Sequence, residues 1–227
     1  MKRIAMFCLV FFAVSMLYAG DVATFANLGF SNDSKYFMFG VYGVVDDGSS
    51  QYAEIYLVDV PGNRFVPGGS NQSVYDEPPT PGQDGFGALL TLYRDTIDRA
   101  KKYQINPLRS GRLLYVLVDG NVPKPVLTFR DFETGRSFRI ELLQSKFGSG
   151  ESVSASFHIN LTVTSGGTDK YYTIGLPDYR RPGVRAYRIR RIYASPDNEA
   201  LVFVVEKEEY AKTGYDVRYM VETVRVN

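Results

Sequence analysis

"SNDSKYFMFGVYG", residues 31–43, sets a Ser-x-Asp cluster directly before an apolar, aromatic run, and "SPDNEALVFVVEK", residues 195–207, does the same near the other end of the chain. Ser, Asn and Asp hydrogen-bond their own backbone and tolerate turn dihedrals, so each cluster reads as a tight turn and each run as the strand leaving it. The two serines are 164 positions apart, and a tyrosine-bearing segment follows each: YAEIYLVD (52–59) is answered by YDVRYMVE (215–222) at an offset of 163. Two elements recurring in the same order at almost the same spacing predict a repeated strand unit. In it Asp33 or Asp197 fixes the turn, the apolar run is a buried strand, and the tyrosine-bearing strand pairs beside it.

Working outward, Ala23 to Val60 reads as three strands, ATFANLGF, KYFMFGVYGVV and QYAEIYLVDV, divided by polar turns and closed by PGN. Residues 64–84 carry GGSNQS and DEPPTPGQD, which predict an irregular loop. Between 85 and 105 the period changes: Phe86, Leu89, Leu90, Tyr93, Ile97 and Ala100 fall on one helical stripe. The other side carries the pairs Arg94–Asp98, Asp95–Arg99 and Asp98–Lys102, with Asp84 as N-cap and Asn106-Pro107 as stop. A stripe of this kind belongs to a helix packed on a sheet. Strand patterns then return in RLLYVLVDG, PVLTFRDF, RSFRIELL, SVSASFHINLTVT and YYTIGL, and again around the second Ser-x-Asp cluster and in GYDVRYMVETVRV. Seventeen tyrosines and fifteen phenylalanines suit strands. The expectation is a mainly β protein of antiparallel, blade-like sheets, propeller-like or open, with one amphipathic helix near 86–105. It would form a single domain over 21–227, with blade-like units near 22–60 and 185–226.

The turn-strand pattern resembles that of TolB-like β-propeller blades, whose usual form is F-S-P-D-G followed by an apolar strand. Asp33, Asp197 and Pro196 match; Asn32 stands where the family has proline, and Ser34 and Asn198 where it has glycine. FRDFETGRSFRIEL, residues 129–142, resembles the closing hairpin of a third blade. Over its length the chain is also similar to a family of predicted secreted or periplasmic bacterial proteins of unknown function, known from spirochaetes among others. That resemblance rests on GDVATFANLGFSNDSKYFMFG (20–40), YAEIYLVDVPGNRFV (52–66) and ASPDNEALVFVVE (194–206), together with the N-terminus. It implies an envelope location and supplies no activity.

The N-terminus reads MKRIAMFCLVFFAVSMLYAGD: a basic pair at Lys2 and Arg3, an apolar stretch from Ile4 to Leu17, and a small-residue exit at Tyr18-Ala19-Gly20 before Asp21. This is the layout of a secretory signal peptide over residues 1–20; a retained anchor is the other reading. The apolar stretch falls short of the roughly 18 residues of a spanning helix, and no transmembrane span is expected once the leader is cut. A cut after Ala19 leaves Leu17 three positions back, and a cut after Gly20 leaves Tyr18 there. Cys8, the single cysteine, lies inside the leader, so the mature chain would carry neither thiol nor disulfide and must be held by its core. Loss of Lys2 and Arg3 takes the formal charge from +1 to −1, which gives no reason to expect nucleic acid as a partner. The glycosylation-like triplets at Asn32, Asn71 and Asn160 are common by chance.

Little in the chain points to a reaction. His158, the sole histidine, sits in a strand-like run and lacks the companions of a zinc site or a triad; a structural histidine is the simpler reading. Asp46-Asp47-Gly48-Ser49 and Asp76-Glu77 place acids in loops without graded calcium-loop spacing. No catalytic residue, metal or cofactor is expected. The local excess is positive: Arg180, Arg181, Arg185, Arg188, Arg190 and Arg191 fall within twelve residues that contain no acid. Guanidinium forks suit phosphate or carboxylate, so Arg180, Arg181, Arg185 and Arg188 are the candidate anion-binding residues. A solvated strand face paired with neighbouring acids would also account for Arg188 and Arg190. The functional expectation is an exported envelope binding or scaffold protein without catalytic activity, its partner an anionic envelope component or an acidic protein surface. The alternative is a periplasmic hydrolase acting on cell-envelope glycan or phosphate esters.

Overall fold

Both Ser-x-Asp clusters close the same turn. In the computed structural model, which describes residues 20–45, 48–211 and 214–226, Ser31 Oγ donates to Asp33 Oδ1 (2.7 Å) and accepts from Tyr36 N–H (2.9 Å), while Asp33 Oδ1 also accepts from Lys35 N–H (3.2 Å). Ser195, Asp197, Glu199 and Ala200 repeat each bond. Ser34 and Asn198 both sit at φ 58°, in the left-handed region that favours glycine.

The strands are β1 (Thr24–Ser31), β2 (Tyr36–Val44), β3 (Gln51–Asp59), β4 (Arg64–Tyr75), β5 (Ile105–Asn106), β6 (Arg112–Val116), β7 (Val126–Arg130), β8 (Ser137–Phe147), β9 (Ser154–Ser165), β10 (Thr168–Pro182), β11 (Val184–Ala194), β12 (Ala200–Ala211) and β13 (Gly214–Arg225). Helices α1 (Phe86–Asp95) and α2 (Ile97–Lys102) follow β4. All strand pairs within the sheets are antiparallel. The first sheet runs β4-β3-β2-β1-β5, the second β10-β9-β8-β7 and the third β13-β12-β11-β6. The second sheet is thus inserted between β6 and β11, which pair with each other.

Side-chain alternation stacks these sheets. On β12, Ala200, Val202 and Val204 share a core with Phe37, Phe39 and Val41 of β2, whereas Leu201, Phe203 and Val205 share another with Phe138, Ile140, Phe157 and Ile159 of the second sheet. The third sheet is therefore the middle layer, and β12 is covered on both faces. That is why its sequence is a continuous apolar run and not an alternation. β2 is covered likewise, because its other face, with Met38 and Tyr42, packs on the helices through Leu89, Leu92 and Ala100. The two Ser-x-Asp units stack head to tail: Phe37 and Phe39 face the third sheet, and their counterparts Leu201 and Phe203 face away from the first. β9 has only one covered face, so it alternates Phe157, Ile159, Leu161 and Val163 inward with His158, Asn160 and Thr162 outward.

The structure corrects the sequence reading in three places. Residues 64–75, expected as loop, form β4; as an edge strand with only Val66 and Gly69 buried it has no apolar alternation to read, and its Pro67 is tolerated at the edge. The helix expected across 86–105 is broken at Thr96, whose hydroxyl bonds the Leu92 and Tyr93 carbonyls (both 3.1 Å); its buried side is Ala88, Leu89, Leu92 and Ala100, with Phe86 and Leu90 exposed. Gly85 holds the N-cap position, while Asp84 beside it accepts from Phe86 N–H (3.1 Å), and the ion pairs are Arg94–Asp95 and Asp98–Lys101. Finally, the tyrosine correspondence fails in register. Phe39 pairs with Tyr56, but its counterpart Phe203 pairs with Glu222, so Tyr219 points back toward Phe25 of the first sheet while Tyr56 points forward. An odd slip in register turns every side chain to the other face.

Candidate functional site

The register slip puts Glu222 where all three sheets meet. Here a cleft of about 470 Å3 is bounded by the β3–β4 turn and the start of β4 (Gly62, Asn63, Arg64, Phe65), by Gly175, Leu176 and Arg181 of β10, and by Met220, Val221 and Glu222 of β13. Each wall has a local cause. Asp59 Oδ1 accepts from Gly62 N–H (3.2 Å) and Asn63 takes a left-handed φ of 46°, which closes the β3–β4 turn. Asn63 then reaches across to β13: its Nδ2 donates to Glu222 Oε2 (2.5 Å) and its Oδ1 accepts from Thr223 N–H (2.7 Å). In β10 the register jumps from Leu176 opposite Phe157 to Arg181 opposite Ala155, so residues 177–180 leave the ladder and re-aim the side chains on either side.

Arg181 is the charged group this bulge delivers. Its guanidinium lies beside the rings of Tyr179 (4.9 Å), Phe157 (5.3 Å) and Tyr187 (5.9 Å), and its Nη2 is 4.0 Å from Glu222 Oε1. Nη1 is buried and makes no hydrogen bond of good geometry among the described residues, though the guanidinium also interacts with the Tyr187 hydroxyl. Burial pushes the Glu222 carboxyl above the usual carboxylate range, against the opposing pull of the Asn63 hydrogen bond and the Arg181 charge. Phe65 and Leu176, 50% and 59% exposed, give the cleft an apolar rim.

The other arginines hold different partners. Arg180 lies over the Phe147 ring (3.7 Å). Arg185 pairs with Glu208 (3.1 Å) and lies over Tyr215 (4.7 Å). Arg188 bonds Glu206 (3.2 Å) and Glu208, and Arg190 bonds Asp119 and meets Glu206 at 3.7 Å. Glu206 and Glu208 are buried, so Arg185, Arg188 and Arg190 neutralise carboxylates that are largely shut off from water. Of the four candidate anion-binding arginines, only Arg181 lines the cleft.

His158 is half-buried on the outer face of the second sheet, opposite Leu143 and Gly175. Asp46 and Asp47 lie outside the described residues, as does Cys8; Asp76 accepts from Ser50 (3.5 Å). No group of three or more His, Cys, Asp or Glu suited to a metal occurs among the described residues, nor does any helix long and apolar enough to cross a membrane. Sequence reasoning missed Glu222, Asn63, Phe65 and Leu176. The available signal was Glu222 itself, a carboxylate set inside the strand-like run YMVETV.

Three head-to-tail antiparallel sheets, capped by helices at one end and notched by a charged cleft at their junction, define a mainly β protein of stacked, blade-like architecture. Residues 38–225 match the model of the family described as predicted secreted protein (DUF2259), and the chain belongs to that family. Comparisons with curated proteins and with solved structures find no match.

Proposed function

We propose that this secreted protein is a binding protein of the cell envelope, and that its junction cleft takes an amphiphile joining an anionic head to an apolar chain. The observation that carries this reading is the buried Nη1 of Arg181, without a well-formed hydrogen bond, on the wall of a cleft rimmed by Phe65 and Leu176. A guanidinium offers donors in a fixed fork, and an anion would satisfy the buried one that has no well-formed hydrogen bond. The apolar rim gives the rest of such a ligand a surface to bury. Glu222 competes with the ligand for Arg181, which makes binding pH-dependent: because its carboxyl titrates above the usual range, mild acid removes the competing charge. Head-to-tail stacking is also how successive propeller blades pack, which supports relating the Ser-x-Asp units to TolB-like blades.

The test is calorimetric titration with decyl phosphate below its micelle threshold, beside decanol and inorganic phosphate. Decyl phosphate is expected to bind and the two fragments to bind far more weakly; Arg181→Gln should lose at least about tenfold in affinity, equal to 1.4 kcal/mol. Glu222→Gln should bind more tightly at pH 8 and lose the gain on acidification. Equal affinity in wild type and Arg181→Gln would rule the reading out. One observation favours the hydrolase alternative, the raised carboxyl of Glu222, which is what a general acid needs. Turnover of a phosphate or glycoside ester that disappears in Glu222→Gln would replace binding by catalysis.

A further inference from the structure

The start of the described chain is sewn into the third sheet. Asp21 N–H donates to Asp216 Oδ1 (2.9 Å), the Asp21 carbonyl accepts from Val217 N–H (2.8 Å), and Ala23 N–H donates to the Val217 carbonyl (3.1 Å). Val22 and Val217 thereby form a parallel bridge on β13. The Asp21 carboxylate is buried and takes hydrogen bonds from Tyr52 (3.1 Å) and Arg218 Nη2 (2.8 Å). Gly20 is held as closely: a β-carbon there would lie 2.1 Å from the Tyr215 carbonyl oxygen and 2.9 Å from Asp216 Oδ1. Residue 20 is therefore pinned on β13 against the Asp216 carboxylate, with no room for any side chain.

The charges at this point do not balance. A second cleft, about 540 Å3, opens beside Asp21, and its charged lining is three carboxylates, Asp21, Glu54 and Asp216, against one guanidinium, Arg218. Arg218 is shared between Asp21 and Asp216 (2.8 and 3.7 Å). Burial already pushes the Asp21 carboxyl up, and the Asp216 charge adds to it. One further cation placed at residue 20 would settle the site.

We propose that export processing cuts the Ala19–Gly20 bond and that the ammonium freed on Gly20 pairs with Asp216, so that the mature end is part of the fold. The cut is peptide hydrolysis: water adds to the Ala19 carbonyl carbon, the C–N bond breaks, and the departing Gly20 amine takes the proton. Such an amine has a pKa of about 7.7–8.0 when free and is charged at neutral pH. This bond, unlike the next, keeps alanine immediately before the cut and leaves the tightly packed glycine in the folded chain. The inference rests on the reading of the chain as exported with a cleaved leader.

The groups around the ammonium are Asp216, Arg218 and Tyr215 from β13, Tyr52 and Glu54 from β3, the Asp21 carboxylate, and Glu209 of β12, which is opposite Asp216 and paired with Lys207; Arg185 lies over the ring of Tyr215. Burial raises the Tyr52 phenol well above its ordinary value, so it does not titrate between pH 7 and 10. Pairing with Asp216 raises the amine's pKa in the folded state. Its stabilisation is thus present below about pH 8, where the unfolded amine is charged, and lost as pH rises through the folded value.

The experiment has two arms. Intact mass and N-terminal sequencing of the exported protein should show a chain beginning at Gly20. Urea midpoints are then compared at pH 7 and pH 10 for the chain beginning at Gly20 and for the same chain extended by Ser-Ala, each with and without Asp216→Asn. The processed chain should have the higher midpoint at pH 7, with the gap closing at pH 10 and in Asp216→Asn; Gly20→Ala should lower the midpoint of the processed chain. Equal midpoints at pH 7 would overturn the pairing and leave export standing. An exported chain that begins elsewhere overturns the cut, and one that keeps residues 1–19 overturns the export reading with it.

Discussion

Asp131→Asn tests what binds the inserted second sheet to the third. The Asp131 carboxylate, whose side chain is 4% exposed, accepts from Arg112 Nη1 (2.6 Å) and Nη2 (2.8 Å), from Thr134 Oγ1 (2.6 Å) and from Glu133 N–H (3.1 Å). Arg112 Nη2 also bonds Asn198 Oδ1 (2.9 Å), and Arg136 Nη1 bonds the Asn198 carbonyl (2.6 Å), so the β7–β8 turn is stapled to the second Ser-x-Asp turn. The substitution keeps the volume and removes the charge. Breaking a buried ion pair costs about 3–5 kcal/mol, and the lower end applies because Arg112 stays 32% exposed and keeps Glu133 (2.8 Å). A loss of about 3 kcal/mol corresponds to a melting temperature roughly 6–12 °C lower for a chain of this size. Urea denaturation at fixed slope gives the free energy directly. The Arg112 bonds hold the Asp131 carboxyl well below the usual carboxylate range, so its contribution is whole above about pH 4 and fades as pH falls toward the depressed folded value. The gap between wild type and Asp131→Asn should therefore narrow steadily below pH 4. A cost under about 0.5 kcal/mol, the level of an ordinary surface substitution, or a gap that does not change with pH, would refute the staple.

Asp33→Ala and Asp197→Ala should each cost about 0.5–2 kcal/mol in urea melts, by loss of the side-chain bonds that close the two turns, and the two costs should be similar because the turns are alike. Arg188→Gln should cost several times what Arg180→Gln does, since it takes from each of the buried Glu206 and Glu208 one of its two arginine partners, whereas Arg180 lies over a ring and pairs with no acid among the described residues; equal melting temperatures for the two variants would argue against the buried network.

What the sequence discloses follows burial. The strands β2 and β12 are covered on both faces, and they read unmistakably as YFMFGVYGV and ALVFVV behind their turns. β4 is invisible for the opposite reason: an edge strand exposed over most of its length needs no apolar period. The pairing of β6 with β11 spans the whole inserted second sheet, so no local pattern announces it. The tyrosines of YAEIYLVD and YDVRYMVE look equivalent along the chain yet face opposite ways, because register is set by pairing and not by residue identity. At the site, Arg181 is conspicuous among its neighbours by composition, but composition does not separate it from Arg185 and Arg188, whose carboxylates are on β12. Glu222 and Asn63 are brought together only by the stacking of sheets distant in sequence.

The central claim, an anionic amphiphile seated at the junction of the three sheets, is tested most directly by amide hydrogen exchange with and without decyl phosphate. Binding there should slow exchange at residues 62–65, 175, 176, 181 and 220–222, which wall the cleft, and the protection should vanish in Arg181→Gln. Protection confined to other segments, or unchanged in Arg181→Gln, would contradict it.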